Sequence, residues 1–476
     1  MILNMNYSKL IQKSKIENYS ENGTKQGYNG IYTMHKYWSK KPANLIRELI
    51  LEYSKENELV LDPFCGSGVT IVESILTNRK AIGIDLNPSA ISITKQLLTT
   101  LPIEKIENTF HEIAKSCENK INSFYRIKYH GKSYTGLHFL WNENTIKQIY
   151  FKNGKTHLSY IKPKKIDKKL SNSFSYNKIK YFYPKSKLIH NPRINVNSNL
   201  RVCDLFTPRN THALAFLLNR INKIKDSRLR ELFRFCFSAS LGQSSKMVFV
   251  INRRGKMNNP RQRSTRNEIG SWVIGYWRPK EFFEINVWNC FKNRYKKIIR
   301  AKKAQFNNFI NVNHAKNFSQ LKEKSVLLIN QSAEIALSKL PPNSVNYIIL
   351  DPPHTDRIPY LELSKMWNDW LRNKPNYNQE LKIRHICSNN DFVNYIVLLS
   401  KIIKEAERVL KPYRHLSLIF NSKDENSWEA IIDIFNKTKF NSPKISRIDY
   451  SLNSVVQINR LGGLKSDYVL TFRKQS

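Results

Sequence analysis

Leu61-Asp62-Pro63-Phe64-Cys65-Gly66-Ser67-Gly68-Val69-Thr70 is the stretch that decides the fold. Ahead of it, Glu58-Leu59-Val60-Leu61 reads as a short buried strand, and behind it Val69 to Leu76 is apolar enough to begin a helix. Strand, glycine turn and helix form the first unit of a nucleotide-binding α/β sheet. The glycines let backbone approach a ligand closely, and the helix N-terminus offers free N–H groups. A second strand follows at once, Lys80-Ala81-Ile82-Gly83-Ile84, with Asp85 at its end. An acid about 20 residues past the glycine turn sits where a carboxylate would grip ribose hydroxyls.

Gly-x-Gly alone would fit any tight turn. Asp-Pro-Phe-Cys-Gly-Ser-Gly followed by a strand-end acid is sharper. It resembles motif I and the acidic motif II of S-adenosylmethionine-dependent methyltransferases, specifically those that methylate exocyclic amino groups of nucleic-acid bases. The resemblance implies S-adenosyl-L-methionine as cofactor, held by Asp62, Pro63, Phe64, Cys65, Gly66, Ser67, Gly68 and Thr70, and by Asp85, Leu86 and Asn87 of the second unit. Upstream, His35-Lys36-Tyr37-Trp38-Ser39-Lys40-Lys41-Pro42 resembles motif X of the same enzymes, whose loop closes over the methionine carboxylate. That adds Tyr37, Trp38, Ser39, Lys40 and Pro42 to the implied cofactor residues, although Tyr37 and Trp38 also read as ordinary aromatic packing under the first strand. Pro42 opens an amphipathic helix from Ala43 to Tyr53, where its missing N–H is harmless.

The α/β pattern resumes at Val326 to Asn330, a strand, with Ser332 and Ala333 just beyond it counted among the cofactor residues. Val345 to Leu350 is the next strand, and it ends in Asp351-Pro352-Pro353-His354. A base's exocyclic amine is a poor nucleophile because its lone pair is delocalised into the ring. Family members accept hydrogen bonds from that amine with the first side chain of this loop and the next proline's carbonyl, which aims the lone pair at the methyl sulfonium. Two prolines stiffen the loop, so the acceptors are preorganised. The ring at the fourth position stacks on the flipped base. Asp351, Pro352, Pro353 and His354 are therefore the implied catalytic residues. Histidine replaces the family's usual tyrosine or phenylalanine, which puts the strength of stacking in question.

Motif X, motif I, a long insertion and then the catalytic loop is the α-type order of DNA amino-methyltransferases. The resemblance covers about residues 29–100 and 325–474. It implies an α/β fold: a Rossmann-like class I methyltransferase sheet, its last strand antiparallel, plus a large inserted recognition and helical region. The expected divisions are a polar lead-in (1–28), the first core part (29–124), the insert (125–320) and the second core part (321–476).

Charge points to a polyanionic partner. Lys+Arg number 79 against 37 Asp+Glu, a net +42 over 476 residues. An AT-rich genome would explain Lys over Arg but not the shortage of acids, so contact with double-stranded DNA is expected. In 125–199, short β-like runs interleave basic and aromatic residues, with Lys162, Lys164 and Lys165 as candidate phosphate contacts. A solvated Lys-rich surface is the plainer reading of the same residues. Residues from Val202 to Lys303 read as helical, with Phe282 to Lys303 a basic amphipathic helix. Within them Arg253, Arg254, Arg261, Arg263 and Arg266 lie on a Gly/Pro-broken run that would order on phosphate.

No run of 18 or more apolar residues appears, so no membrane span is expected. Six scattered cysteines, with no Cys-x-x-Cys pair, argue against a cysteine zinc site, and no metal is expected. With no secretory signal pattern at Met1 to Asn6, they suggest a reducing cytoplasm. The leading expectation is a site-specific DNA methyltransferase acting on adenine N6, in a restriction-modification or phage-defence setting where a cognate restriction endonuclease would be a second partner. Cytosine-N4 methylation, guanine-N2 methylation of RNA, and a non-catalytic DNA-binding protein stay open.

Overall fold

The computed structural model describes residues 17–18, 30–154, 157–197, 199–251, 268–353, 358–380, 389–422, 425–449 and 466–476. The chain falls into two units, one of 1–100, 305–361 and 375–476, the other of 101–304 and 362–374.

The first unit is built on nine strands: β1 (Glu17–Asn18), β2 (Leu59–Asp62), β3 (Lys80–Ile84), β4 (Asn313–Ala315), β5 (Ser325–Ile329), β6 (Val345–Leu350), β7 (Leu410–Phe420), β8 (Lys444–Asp449) and β9 (Ser466–Arg473). Their order across the sheet is β1-β8-β9-β7-β6-β2-β3-β5-β4. The last strand, β9, runs antiparallel to both neighbours, and every other pairing is parallel. This is a mixed, mostly parallel α/β sheet with one antiparallel strand. The chain progresses outward from β2 in one direction through β3, and in the other through β6. Ligands of open α/β sheets bind outside the carboxyl ends of the strands where the order reverses. Here those ends are Asp62 and the residue after Leu350.

Both faces of the sheet are covered, as the near-continuous apolar strands require. On one face Val60, Tyr347, Ile349 and Ile419 pack against Leu45, Ile46, Leu49 and Ile50 of α1 (Ala43–Tyr53). On the other, Leu61, Ile82, Ile348 and Leu350 meet Leu399, Ile402, Ile403 and Ala406 of a long helix, Asn389–Val409. The helices after β2 and β3, α2 (Val69–Leu76) and α3 (Pro88–Leu98), start where the sequence pattern places them. Asn87 caps α3, its side-chain oxygen accepting from Ser89 N.

The second unit is α+β. Its antiparallel sheet runs Glu281–Ile285, Lys132–Asn142, Thr145–Asn153, His157–Ile161, with Arg126–Tyr129 also paired to Lys132–Asn142. The helix Ile103–Ser123 belongs here and not to the sheet of the first unit: its Phe110 stacks on Tyr295 with ring centroids 3.7 Å apart. The β character expected over 125–199 stops at Ile161, followed by a helix, Lys165–Asn172, and 3-10 turns. The helix expected from Phe282 is likewise corrected, because Glu281–Ile285 is a strand and the helix begins at Val287. Glu284 explains the strand's inward face. It is buried and receives Arg209, Thr207 and, at 2.8 Å, Trp141 Nε1. The guanidinium of Arg209 in turn lies 4.0 Å over the Phe139 ring. A buried carboxylate must be paired and hydrogen-bonded, and this cluster supplies both from two other chain segments. Among the described residues, no helix is long and apolar enough to cross a membrane.

Candidate active site

The loop from Asp62 to Gly68 is held by hydrogen bonds from three directions. Asp62 accepts from Phe64 N at 2.9 Å, Cys65 N donates to the carbonyl of Ile84 at 2.9 Å, and the hydroxyl of Thr94 donates to the carbonyl of Gly66 at 3.2 Å. Gly68 has a φ of 80° as the residue before α2, and a Cβ there would lie 2.4 Å from a methyl of Thr94. Only glycine fits. Gly66, at φ 50°, presents its backbone beneath the Tyr37 ring, 3.3 Å from where a Cβ would sit.

Asp85 closes this cradle. One carboxylate oxygen accepts from Gly66 N at 2.8 Å and the other from Asn87 N at 2.8 Å. Two oxygens offer about four acceptor sites, so two positions remain for a diol. Asn330 Nδ2 anchors the same corner through the carbonyls of Asp85 and Leu86.

A cavity of about 1060 Å³, part of it open to solvent, joins this cradle to the end of β6. Tyr37, Trp38, Ser39, Lys40, Asp62, Pro63, Phe64, Cys65, Gly66, Ser67, Thr70, Asp85, Leu86, Asn87, Ser332, Ala333, Asp351 and Pro353 all line it. Pro42, Gly68 and Pro352 do not. Pro42 precedes α1, its carbonyl accepting from Ile46 N at 3.2 Å, and Gly68 turns the chain into α2. Lys40 reaches the wall, yet its ammonium donates to the carbonyls of Tyr32 at 2.7 Å and His35 at 2.9 Å, so it braces its own loop. Lys162, Lys164 and Lys165 are exposed in the second unit. His354, Arg253, Arg254, Arg261, Arg263 and Arg266 lie outside the described residues.

The cavity is acidic. Burial pushes Asp62 up to about 7 and Asp85 and Asp351 each up to about 6, hydrogen bonds to the first two and Lys41 beside the third acting the other way. Other residues complete it. Tyr360, at the start of the helix Tyr360–Trp370, stacks on Tyr37 with centroids 5.8 Å apart. Glu380 accepts from Leu361 N at 3.1 Å. Tyr395, buried in the long helix, donates to the carbonyl of Pro353 at 3.1 Å and so holds the loop after β6. Lys41 bridges to Asp351, which only its adjacency to Lys40 in sequence could have suggested.

The donor set fits S-adenosylmethionine: a glycine cradle that a Cβ would fill, a strand-end carboxylate, and the Ser332 hydroxyl, buried on the wall with no hydrogen-bond partner among the described residues. Residues 4–96 match the family described as DNA methylase. The chain is similar to type II methyltransferase M2.LlaDCHI of Lactococcus lactis subsp. cremoris, 41% identical over 63 residues, 13% of this chain and 23% of that protein. It is similar also to the DNA adenine methyltransferase YhdJ of Escherichia coli, 38% identical over 65 residues, 13% of this chain and 22% of that protein. The matched stretch is thus under a quarter of these relatives' lengths. A methyltransferase homologue of Pyrococcus horikoshii aligns over 39% of this chain and 57% of its own at 12% identity, with a TM-score of 0.20. The matched residues 4–96 include β2, the glycine turn and Asp85; Asp351, far downstream, lines the same cavity.

Proposed function

We propose that this chain is an S-adenosylmethionine-dependent DNA methyltransferase acting on the exocyclic amine of a flipped-out base, adenine N6 in duplex DNA. One observation supports this reading above the others: Asp351, at the carboxyl end of β6, opens into the same cavity as the glycine cradle and Asp85. When bound, S-adenosylmethionine supplies an electrophilic methyl carbon on a sulfonium. Asp85, the Gly66 backbone and the Ser332 hydroxyl would hold it. Asp351, ionised, accepts from the base amine together with the carbonyl of Pro352, drawing the nitrogen lone pair out of conjugation. The proton lost by the nitrogen leaves by way of the carboxylate. Tyr395 keeps the proline loop in place while this happens.

An aspartate opening the loop, and the adenine methyltransferase among the relatives, favour adenine over cytosine N4. The type II relatives favour a restriction-modification setting in the cytoplasm, with a cognate endonuclease as second partner. Label from S-adenosylmethionine is expected in unmethylated genomic DNA, and nucleoside mass spectrometry is expected to show N6-methyladenine. N4-methylcytosine alone would overturn the base, methylguanine in RNA the substrate class, and cofactor binding without transfer to either polymer the enzyme itself.

The basic second unit is the DNA-recognition element in this reading. Changing Lys162, Lys164 and Lys165 together to alanine should flatten the salt dependence of DNA affinity by about 0.9 for each phosphate no longer neutralised. An unchanged slope would make them solvated surface only.

A further inference from the structure

Lys41 is a buried cation shared by two carboxylates. Its ammonium lies 3.2 Å from Asp351 Oδ1 and 3.1 Å from Asp467 Oδ2, and its side chain is only 8% exposed. The three groups come from the loop before α1, the end of β6 and the start of β9. A lysine serving only to staple the first helix to the last strand would need Asp467 alone. The second bridge reaches the carboxylate that opens the catalytic loop and fixes its rotation about the Cβ–Cγ bond.

We propose that Lys41 is a positioning residue that holds Asp351 ionised and oriented to accept the base amine. This inference rests on the function proposed above. A protonated Asp351 would present an O–H to the amine and lose acceptor capacity just where nitrogen must be drawn out of conjugation. Burial favours that protonated form, and an opposite charge within about 4 Å favours the ionised one. Among the described residues, the groups facing Asp351 divide: Asp467 from β9 is anionic and opposes ionisation, and Asp62 from the end of β2, its own carboxyl pushed up to about 7 by burial, does so to the extent that it is ionised. Tyr360 from the following helix, its hydroxyl pushed up to about 12 by burial, is neutral. Lys41 is the cation on the other side of the balance.

The test is the pH profile of single-turnover methyl transfer to unmethylated genomic duplex DNA by the full chain. In Lys41→Met the acid limb should move up by about one to three pH units, with the rate recovering as pH rises. Lys41→Arg should keep the wild-type limb. Asp467→Asn should move the limb down, since it removes an anion while leaving the lysine, and it tests the proposal even if Lys41→Met fails to fold. A Lys41→Met enzyme slowed equally at every pH, or an Asp467→Asn limb that stays put, overturns the proposal and leaves a structural staple. A 13C NMR titration of the Asp351 carboxyl, assigned by its loss in Asp351→Asn, reads the same displacement without turnover. If the wild type transfers no methyl group, the reaction assignment fails, while the titration still decides whether Lys41 controls Asp351.

Discussion

Replacing Asp351 with alanine is expected to abolish methyl transfer while S-adenosylmethionine still binds. The carboxylate lines the cavity at the end of β6, whereas the hydrogen bonds that close the cradle are made by Asp85. Its part in the proposed reaction lies in the change from planar amine to attacking nitrogen. Such an interaction lowers kcat and kcat/KM together when removed. Losing one preorganised group of this kind costs about 10²–10³-fold, and Asp351 also aligns the base, so at least the upper figure is expected. Alanine further leaves Lys41 with one carboxylate in place of two, a net loss of negative charge near the site of the sulfonium. Cofactor affinity should therefore weaken only modestly, which calorimetry with the full chain would read. Transfer within tenfold of wild type would remove Asp351 from the chemistry.

Much of the first unit was legible because it is local. Leu59–Asp62 and Val69–Leu76 announce themselves by apolar period and by proline or glycine at their ends. What stayed hidden depends on pairing across long separations. Glu281–Ile285 reads as the start of the helix that follows. It is a strand because Lys132–Asn142, some 140 residues earlier, takes its hydrogen bonds and because Arg209 neutralises Glu284. The bridge from Lys41 to Asp467 spans 426 residues, and nothing in a run of two lysines says which one turns inward. Lys40 was the more natural choice by spacing, yet it commits its ammonium to backbone carbonyls of its own loop. Many of the motif residues line the cavity. The charges that tune it come from residues whose neighbours are set only by the completed sheet.

Asp85→Asn is expected to cost S-adenosylmethionine affinity about 10²-fold, with folding of the unit retained. Hydrogen bonds to a charged group contribute about 1.5–3 kcal/mol each, and the carboxylate has two acceptor positions left after serving Gly66 N and Asn87 N. Asparagine has one oxygen, so it can serve only one of those two backbone groups and sets its amide donor against the other, while the diol loses charged acceptors; the loss falls on the ligand and on the loop that holds it. The wild-type affinity should carry a signature of the same group. Burial holds Asp85 up at about 6, against an ordinary value of 3.8, while the two backbone N–H groups pull it down. The ionised form is the one that grips hydroxyls. Affinity should thus be full above pH 7 and fall as pH drops through about 6, whereas Asp85→Asn, with nothing to titrate there, should lose that component. Calorimetric binding between pH 5 and 8 decides it, because an affinity that does not change in the wild type, or is unaltered by the amide, would take Asp85 away from the ribose.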